Sequence, residues 1–391
     1  MSDKFDVIVV GGGLVGAALA LALDKQGKRV ALVEGQAERF DALEQGWDAR
    51  IYAVSPANRA FLQQLGAWPD ASRLGVIASM DVRGDQGGQI AFSAADAGAE
   101  ALAWIAENRW LLAAIWQRLQ QASGVTLLSG VRPQQLRHSA REAAIVLDDG
   151  RELQAQLVVG ADGANSWVRQ QSGIAASIKP YGHSGVVANF ACAKPHGNIA
   201  RQWFLGDGIL AWLPMPGNRI SMVWSTSQPE PLLALDGARL AAVVAAAGGH
   251  ALGELTLLSP AAAFPLRLIT PDNVIAERVA LVGDAAHTVH PLAGQGVNLG
   301  FQDAARLAAV LAGTRDCGEW LTLRRYERTR KEAVRTMQLT CDALFQLFHA
   351  KQTPGLAWLR NAGLNLTNRL PLIKKQLARH AVGFNRKKAQ S

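Results

Sequence analysis

The stretch FDVIVVGGGLVGAALALALDKQGKRVALVE, from Phe5 to Glu34, decides the fold. Val7–Val10 and Val30–Val33 are apolar without alternation, the pattern of strands buried on both faces of a parallel sheet. Between them, Gly11, Gly13 and Gly16 form a G-x-G-x-x-G turn at the start of an alanine- and leucine-rich helix. The first glycine permits a sharp turn, the second a close backbone approach to a pyrophosphate, and the third close packing of helix on strand. The amino end of the helix then favours the phosphate charge. Glu34 closes the second strand, where a carboxylate can accept from ribose hydroxyls; this favours FAD or NAD over a 2′-phosphorylated dinucleotide. A structural glycine turn is the alternative, and strand, helix and acid together argue for the dinucleotide. The run is apolar enough to resemble a membrane span. Acidic Asp3 and Asp6 precede it and glycines interrupt it, so a strand–turn–helix is expected.

Outward from this unit, SPANRAFLQQLGAW reads as a helix opened by Ser55 with Pro56 in its first turn. Residues of about 75–100 carry the turn signals of antiparallel strands, and REAAIVLDDGRELQAQLVVGADG contains a hairpin turn at Asp149 and Gly150. From about 180 to 268, strands rich in β-branched and aromatic residues alternate with Gly/Pro turns. Parallel-sheet character returns at RVALVGDAA, and the chain beyond Ala312 is mostly helical. The expected fold class is α/β: a Rossmann-like dinucleotide-binding domain built from separated segments, with an inserted β-sheet substrate domain and a helical carboxyl-terminal region. Residues 1–74, 101–178 and 269–330 would form the first domain, 75–100 and 179–268 the insertion, and 331–391 the terminal helices.

A chain of 391 residues is long enough for more than one domain, and its 38 glycines suit close approaches of backbone to ligand. Cys192, Cys317 and Cys341 have no paired spacing, which argues for a reducing compartment and against zinc, an iron–sulfur cluster or a disulfide scaffold. The net charge of +8 does not translate into a nucleic-acid surface, because the one dense basic run, FNRKKAQS, is terminal and no basic stripe interleaves with aromatics. Such a tail suits an anionic membrane surface or an acidic partner. With no secretory leader or spanning helix, a cytoplasmic location is expected, with peripheral contact at the inner face of the membrane as its extension.

The stretch LVGDAAHTVHPLAGQGVNLG, Leu281 to Gly300, is a third glycine-rich turn of a different kind. Asp284 directly follows an apolar strand, at the carboxyl end where open α/β sheets bind ligands; it would accept from ribityl hydroxyls or act as a turn acid. Gly294, Gln295, Gly296, Val297 and Asn298 open a helix with exposed amide donors. His287 and His290 lie three residues apart with no acidic cluster, so no metal is expected. Structural hydrogen bonding is the leading reading for both, ahead of flavin contact or proton relay.

This stretch resembles the second flavin-contact motif of the class A flavoprotein aromatic hydroxylases, the single-component FAD monooxygenases. VVGADGANSWVR resembles their Asp-Gly motif, and the order of all three motifs matches the family over nearly the whole chain. Within that superfamily, HPLAGQGVNLGFQDAA, GADGANSW, IYAVSPANRAFLQQLGAW and RRYERTRK are most similar to the ubiquinone-biosynthesis hydroxylases. The resemblance implies FAD as cofactor, NAD(P)H as electron donor, and ring hydroxylation of a polyprenylated phenol by dioxygen through a flavin C4a-hydroperoxide. The forms ANSW and GDGILAWLP favour ring carbon five. A related hydroxylase or epoxidase of another aromatic or polyketide is the alternative, as is a non-catalytic FAD-binding subunit of an assembly.

Residue by residue, the resemblance assigns Gly11, Gly13, Gly16 and Glu34 to the adenosine half, and Asp284 with residues 294–298 to the ribityl–isoalloxazine half. Arg50 and Arg109 would face the cofactor, with Asn108 as the alternative to Arg109. Asp162 would either meet FAD and the nicotinamide or organise the turn before Arg169. The expected catalytic set is Pro291, at the edge of the oxygen-reaction pocket, with His287 and Trp212. Trp203, Phe204, Leu210, Trp212, Met222 and Trp224 would divide between an apolar substrate wall and ordinary sheet core. The terminal helices would meet a membrane, a biosynthetic assembly or their own domain.

Overall fold

The computed structural model describes residues 3–37, 40, 43–289 and 296–349. The strand Asp3–Val10 lies centrally in a sheet ordered Ile275–Ala276, Val279–Leu281, Glu152–Gly160, Asp3–Val10, Val30–Glu34, Val125–Ser129. From Val279–Leu281 to Val125–Ser129 every pairing is parallel. This agrees with the unbroken apolar runs, because helices pack on one face and further apolar side chains cover the other. The hairpin at Asp149–Gly150 forms as expected: Gly150 takes φ +85°, and Val146 pairs with Glu152.

The helix Leu14–Asp24 has nine of its eleven residues buried, so it is an interior element and its sequence is apolar all round. It crosses the helix Gly296–Leu311 closely. Val15 fills a notch made by Gly283 and Gly300, and a Cβ at Gly300 would lie 2.5 Å from the Val15 side chain. The first and third glycine motifs therefore interlock directly.

A second sheet is ordered Leu255–Leu257, Ala176–Cys192, Arg219–Thr226, Gly208–Met215, Ile199–Leu205, Ser79–Arg83, Gln89–Ser93, with Ala262–Pro271 also pairing to Ala176–Cys192. The helix Gly237–Ala247 packs on one of its faces. A three-stranded sheet, Ile51–Val54, Ala103–Glu107, Gly75–Ile77, lies against the other face at the Leu213 end. The segmental plan thus differs at its edges from the sequence reading. Gly75–Ile77 pairs with Ala103–Glu107, a strand of the segment expected in the first domain, and the inserted sheet begins at Ala176 and runs to Pro271. The boundary expected between 330 and 331 falls inside one continuous helix, Trp320–His349. Among the described residues no helix is long and apolar enough to cross a membrane. The same residues contain no group of three His, Cys, Asp or Glu side chains placed to hold a metal ion.

Candidate active site

The first glycine turn is built by close approaches. Gly11 has φ +105°, and a Cβ there would meet the Ala161 carbonyl oxygen at 2.5 Å; a side chain at Gly16 would collide with the Gly11 carbonyl. At Gly13 the same construction meets nothing within 4 Å, so the backbone opens there onto free space. The helix that begins at Leu14 has no side-chain cap and no acid in its first turn, which leaves its first amides directed at that space. Glu34 accepts from Gly12 N at 2.6 Å and from Gln36 N at 3.0 Å. A carboxylate has about four lone-pair sites, so two such bonds fix its position and still leave acceptors for a ribose. Trp116, which the sequence reading did not single out, donates from its indole N–H to Gly12 O at 2.9 Å and braces the turn from below.

The other half of the cleft gathers around Asp284. The strand Val279–Leu281 delivers a short turn in which Gly283 takes φ +61° and Gly283, Ala285, Ala286 and His287 are buried, while Asp284 is exposed to the cleft. Although its surface is open, the protein atoms packed around Asp284 strip water from its carboxyl, and this raises it above the ordinary value by more than His287 and Arg50 lower it. Tyr52, another residue missed from sequence, is pushed up to about 12, first by burial, with Arg50 opposing and Asp284 and Asp48 adding. It therefore stays a neutral hydroxyl beside Asp284 and Arg50. Arg50 is exposed, and its backbone is held by Asp48, which accepts from Arg50 N at 2.8 Å.

Several expected site residues have other duties. His287 donates from Nε2 to the fully buried carboxylate of Asp303 at 2.7 Å, the structural hydrogen bond that is its leading sequence reading, and is held on the inner side of the turn. Asp162 accepts from Ser166 Oγ and from Val168 N and so organises its own turn; Arg169 then bridges to Ala285 O at 2.9 Å and joins the Asp-Gly motif to the Asp284 turn. Arg109 is fastened to Gln45 O, Gly46 O and the buried Glu107, so its guanidinium holds the loop before Arg50. The Asn298 side chain is buried and ties Ser55, Asn58 and Ala53 together, so its backbone, with those of Gly296 and Val297, provides the helix start. Pro291, Gly294 and Gln295 lie outside the described residues, as does His290.

Trp212 is the clearest correction. Its strand pairs it with Met222, which pairs with Ala188, and this row faces the helix Gly237–Ala247. Trp212 is 0% exposed, edge-on to Trp203 at 4.7 Å between ring centres, and a side chain at Gly248 would run into its ring. Trp203, Leu210 and Met222 share this core, Trp224 packs against it, and Phe204 belongs to a separate core with Val82 and Ile90. The face turned toward the flavin side is the alternate one. Leu213 packs beside Trp47, Ile51 and Ala53, and Asn189 donates to Asp48 O at 2.8 Å. Along that face Ala211, Val223, Val187 and Ala262 pair in one row; Phe264, 44% exposed, lies over Gly185 in the next. A one-residue change of parity moves every side chain across a sheet, and both faces here are apolar.

The open backbone at Gly13, the uncapped helix start, the fixed Glu34 carboxylate and the exposed Asp284 fit a flavin dinucleotide. Gly11–Gly16 and Glu34 would hold its adenosine and pyrophosphate part, and Arg50, Asp284 and the start of Gly296–Leu311 the remainder. Residues 4–340 match the FAD binding domain family, and the chain belongs to it. It is an FAD-dependent aromatic-ring monooxygenase in class.

Among its relatives, the ubiquinone hydroxylase UbiL of Rhodospirillum rubrum is 36% identical over 98% of this chain and 90% of that protein. The 3-demethoxyubiquinol 3-hydroxylase of Escherichia coli is 36% identical over 97% of this chain and 98% of that protein. The solved structure of Pseudomonas aeruginosa PqsL in complex with 2-aminobenzoylacetate superposes with a TM-score of 0.76 at 25% identity, covering 93% of this chain and 99% of that one.

Proposed function

We propose that this chain hydroxylates the aromatic ring of a polyprenylated phenol in ubiquinone biosynthesis, with FAD as cofactor, dioxygen as oxygen source and NAD(P)H as electron donor. The observation that carries the reading is the cleft-side face of the inserted sheet. Ala211, Leu213, Val223, Ala262 and Phe264 make an apolar wall on the side that meets the Asp48–Arg50 segment. Such a wall suits a lipid-tailed ring better than a small polar phenol. The names of the two curated relatives support the same substrate class.

Reduced FAD, when bound, supplies the activation of dioxygen that a closed-shell phenol cannot achieve alone. The protein's part is to orient and to exclude water. Asp284 and Arg50 orient the ring end of the cofactor, Tyr52 offers a neutral hydroxyl beside them, and the apolar wall keeps the ring dry. A substrate with a prenyl tail partitions into the bilayer, which supports peripheral contact at the inner membrane face. The sequence forms favour ring carbon five, whereas the name of the Escherichia coli relative specifies position three.

The test is deletion of the gene in its native cell, with mass and NMR identification of the quinone precursor that accumulates. The purified enzyme is then assayed with that precursor and with NADH or NADPH. Accumulation of a precursor lacking one ring hydroxyl, and its conversion by the enzyme, is expected. Unchanged quinone content after deletion would overturn the assignment.

A further inference from the structure

We propose that the last helix, Trp320–His349, positions the Asp284 turn, with Arg330 as a positioning residue that acts through the buried carboxylate of Asp303. Asp303 is 0% exposed and receives three donors: Gly283 N at 3.0 Å, His287 Nε2 at 2.7 Å and Arg330 Nε at 2.5 Å. Gly283 and His287 flank Asp284, so both ends of the turn hang from one carboxylate. Arg330 holds that carboxylate in place. Its two remaining nitrogens bond Gln302 Oε1 at 3.3 Å and Leu299 O at 3.2 Å, which fastens the guanidinium to the helix that carries Asp303.

Two other residues on the same stripe of the last helix extend the clamp. Tyr326 donates its hydroxyl to Leu281 O at 2.8 Å, immediately before the turn. Gln338 donates to Thr288 O and Ile269 O, both at 3.1 Å, immediately after it. Positions 326, 330 and 338 share one face at helical spacing, so one element grips the turn before, across and behind Asp284. Burial alone would push the Asp303 carboxyl up, but His287 and Arg330 bring it below the ordinary carboxylate value, so it is charged at neutral pH. Within the turn Gly283, Ala285, Ala286 and His287 are held on this inner side, while Asp284 faces the cleft. The inner contacts therefore set where Asp284 stands.

Arg330→Lys is the informative variant, because it keeps the charge and loses the directed fork. FAD affinity is measured by flavin fluorescence titration of the apoprotein, which needs no substrate and stays decisive even if the quinone-precursor reading fails. The result expected is an affinity loss of roughly tenfold, a changed visible circular dichroism of bound flavin, and little further loss when Asp284→Ala is added, since groups acting through one another are not additive. Thr329→Ala, whose hydroxyl accepts from exposed Arg306, is the control and should bind as the parent does. Parent-like affinity and dichroism in folded Arg330→Lys would overturn the proposal, as would losses that simply add to those of Asp284→Ala. If Arg330→Lys does not fold, Gln338→Leu tests the same clamp from its far end by the same criteria.

Discussion

Replacing Trp212 with alanine should damage the fold and leave substrate preference alone. Trp212 is 0% exposed and packed on Trp203 and Gly248, and truncating a buried tryptophan costs about 3–5 kcal/mol. Unfolding entropy near 2.1 cal/mol/K per residue gives roughly 0.8 kcal/mol/K for a chain of 391 residues, so the melting midpoint should fall by about 4–6 °C. The companion change is Val223→Phe on the opposite face of the same strands. Val223 is partly exposed, so the added ring enters the cleft and the midpoint should barely move. If it displaces two methylenes of a tail, about 1.6 kcal/mol is lost, or roughly fifteenfold in kcat/KM for a prenylated phenol, with little change for the untailed ring. The assay pairs a circular-dichroism melt with kcat/KM for one phenol carrying zero, one or two prenyl units. A Trp212→Ala protein with the parent midpoint and a selective loss on tailed substrates would show that the ring faces the cleft and that the parity argument is wrong.

Glu34→Gln should weaken FAD binding by roughly tenfold to a hundredfold, the worth of charged hydrogen bonds, with kcat at saturating FAD nearly unchanged because the contact is remote from the reacting ring; equal FAD affinity in a fluorescence titration would remove Glu34 from the site. Asp284→Asn should stabilise the apoprotein at neutral pH while weakening FAD. The folded carboxyl lies above its ordinary 3.8, so ionisation costs the folded state, and the cost vanishes as pH falls through the folded value toward 3.8. Melts across pH check the sign, and a gap that widens on acidification would contradict it. Gly16→Ala should abolish FAD binding, because the added methyl collides with the Gly11 carbonyl; a yellow, stable Gly16→Ala protein would contradict that geometry.

How much of this was legible in the sequence follows from the range of the forces involved. The local placement of the glycine turn, Glu34 and Asp284 could be read because each answers a local requirement: a positive φ, a helix start, a strand end. The wall could not be read correctly. Strands apolar on both faces carry no alternation to say which parity meets the cleft, so Trp212 and Val223 are indistinguishable until the helix Gly237–Ala247 is seen to cover one side. The partners of Arg109 and His287, among them Gln45 and Asp303, could not be named from sequence because they lie many residues away and nothing local announces them, although structural hydrogen bonding is the leading reading for His287. One signal was available. Asp303 sits on the apolar stripe of its helix with Leu299 and Leu307, and an acid in that place requires a buried partner, which Arg330 supplies.

The strand order of the main sheet also sets a timetable for synthesis. Asp3–Val10 is made before both, yet its neighbour Glu152–Gly160 follows about 150 residues later, and the neighbour of that strand, Val279–Leu281, later still. At roughly 5–20 residues per second, the nascent chain holds an unpaired apolar edge for about 8–30 s, and a second edge for a comparable time. Most of the inserted sheet, residues 176–271, is contiguous and can close while those edges wait. The glycine turns therefore meet late: the notch that receives Val15 is complete only once Gly300 has been translated, and the contacts of Trp320–His349 behind the Asp284 turn come later still.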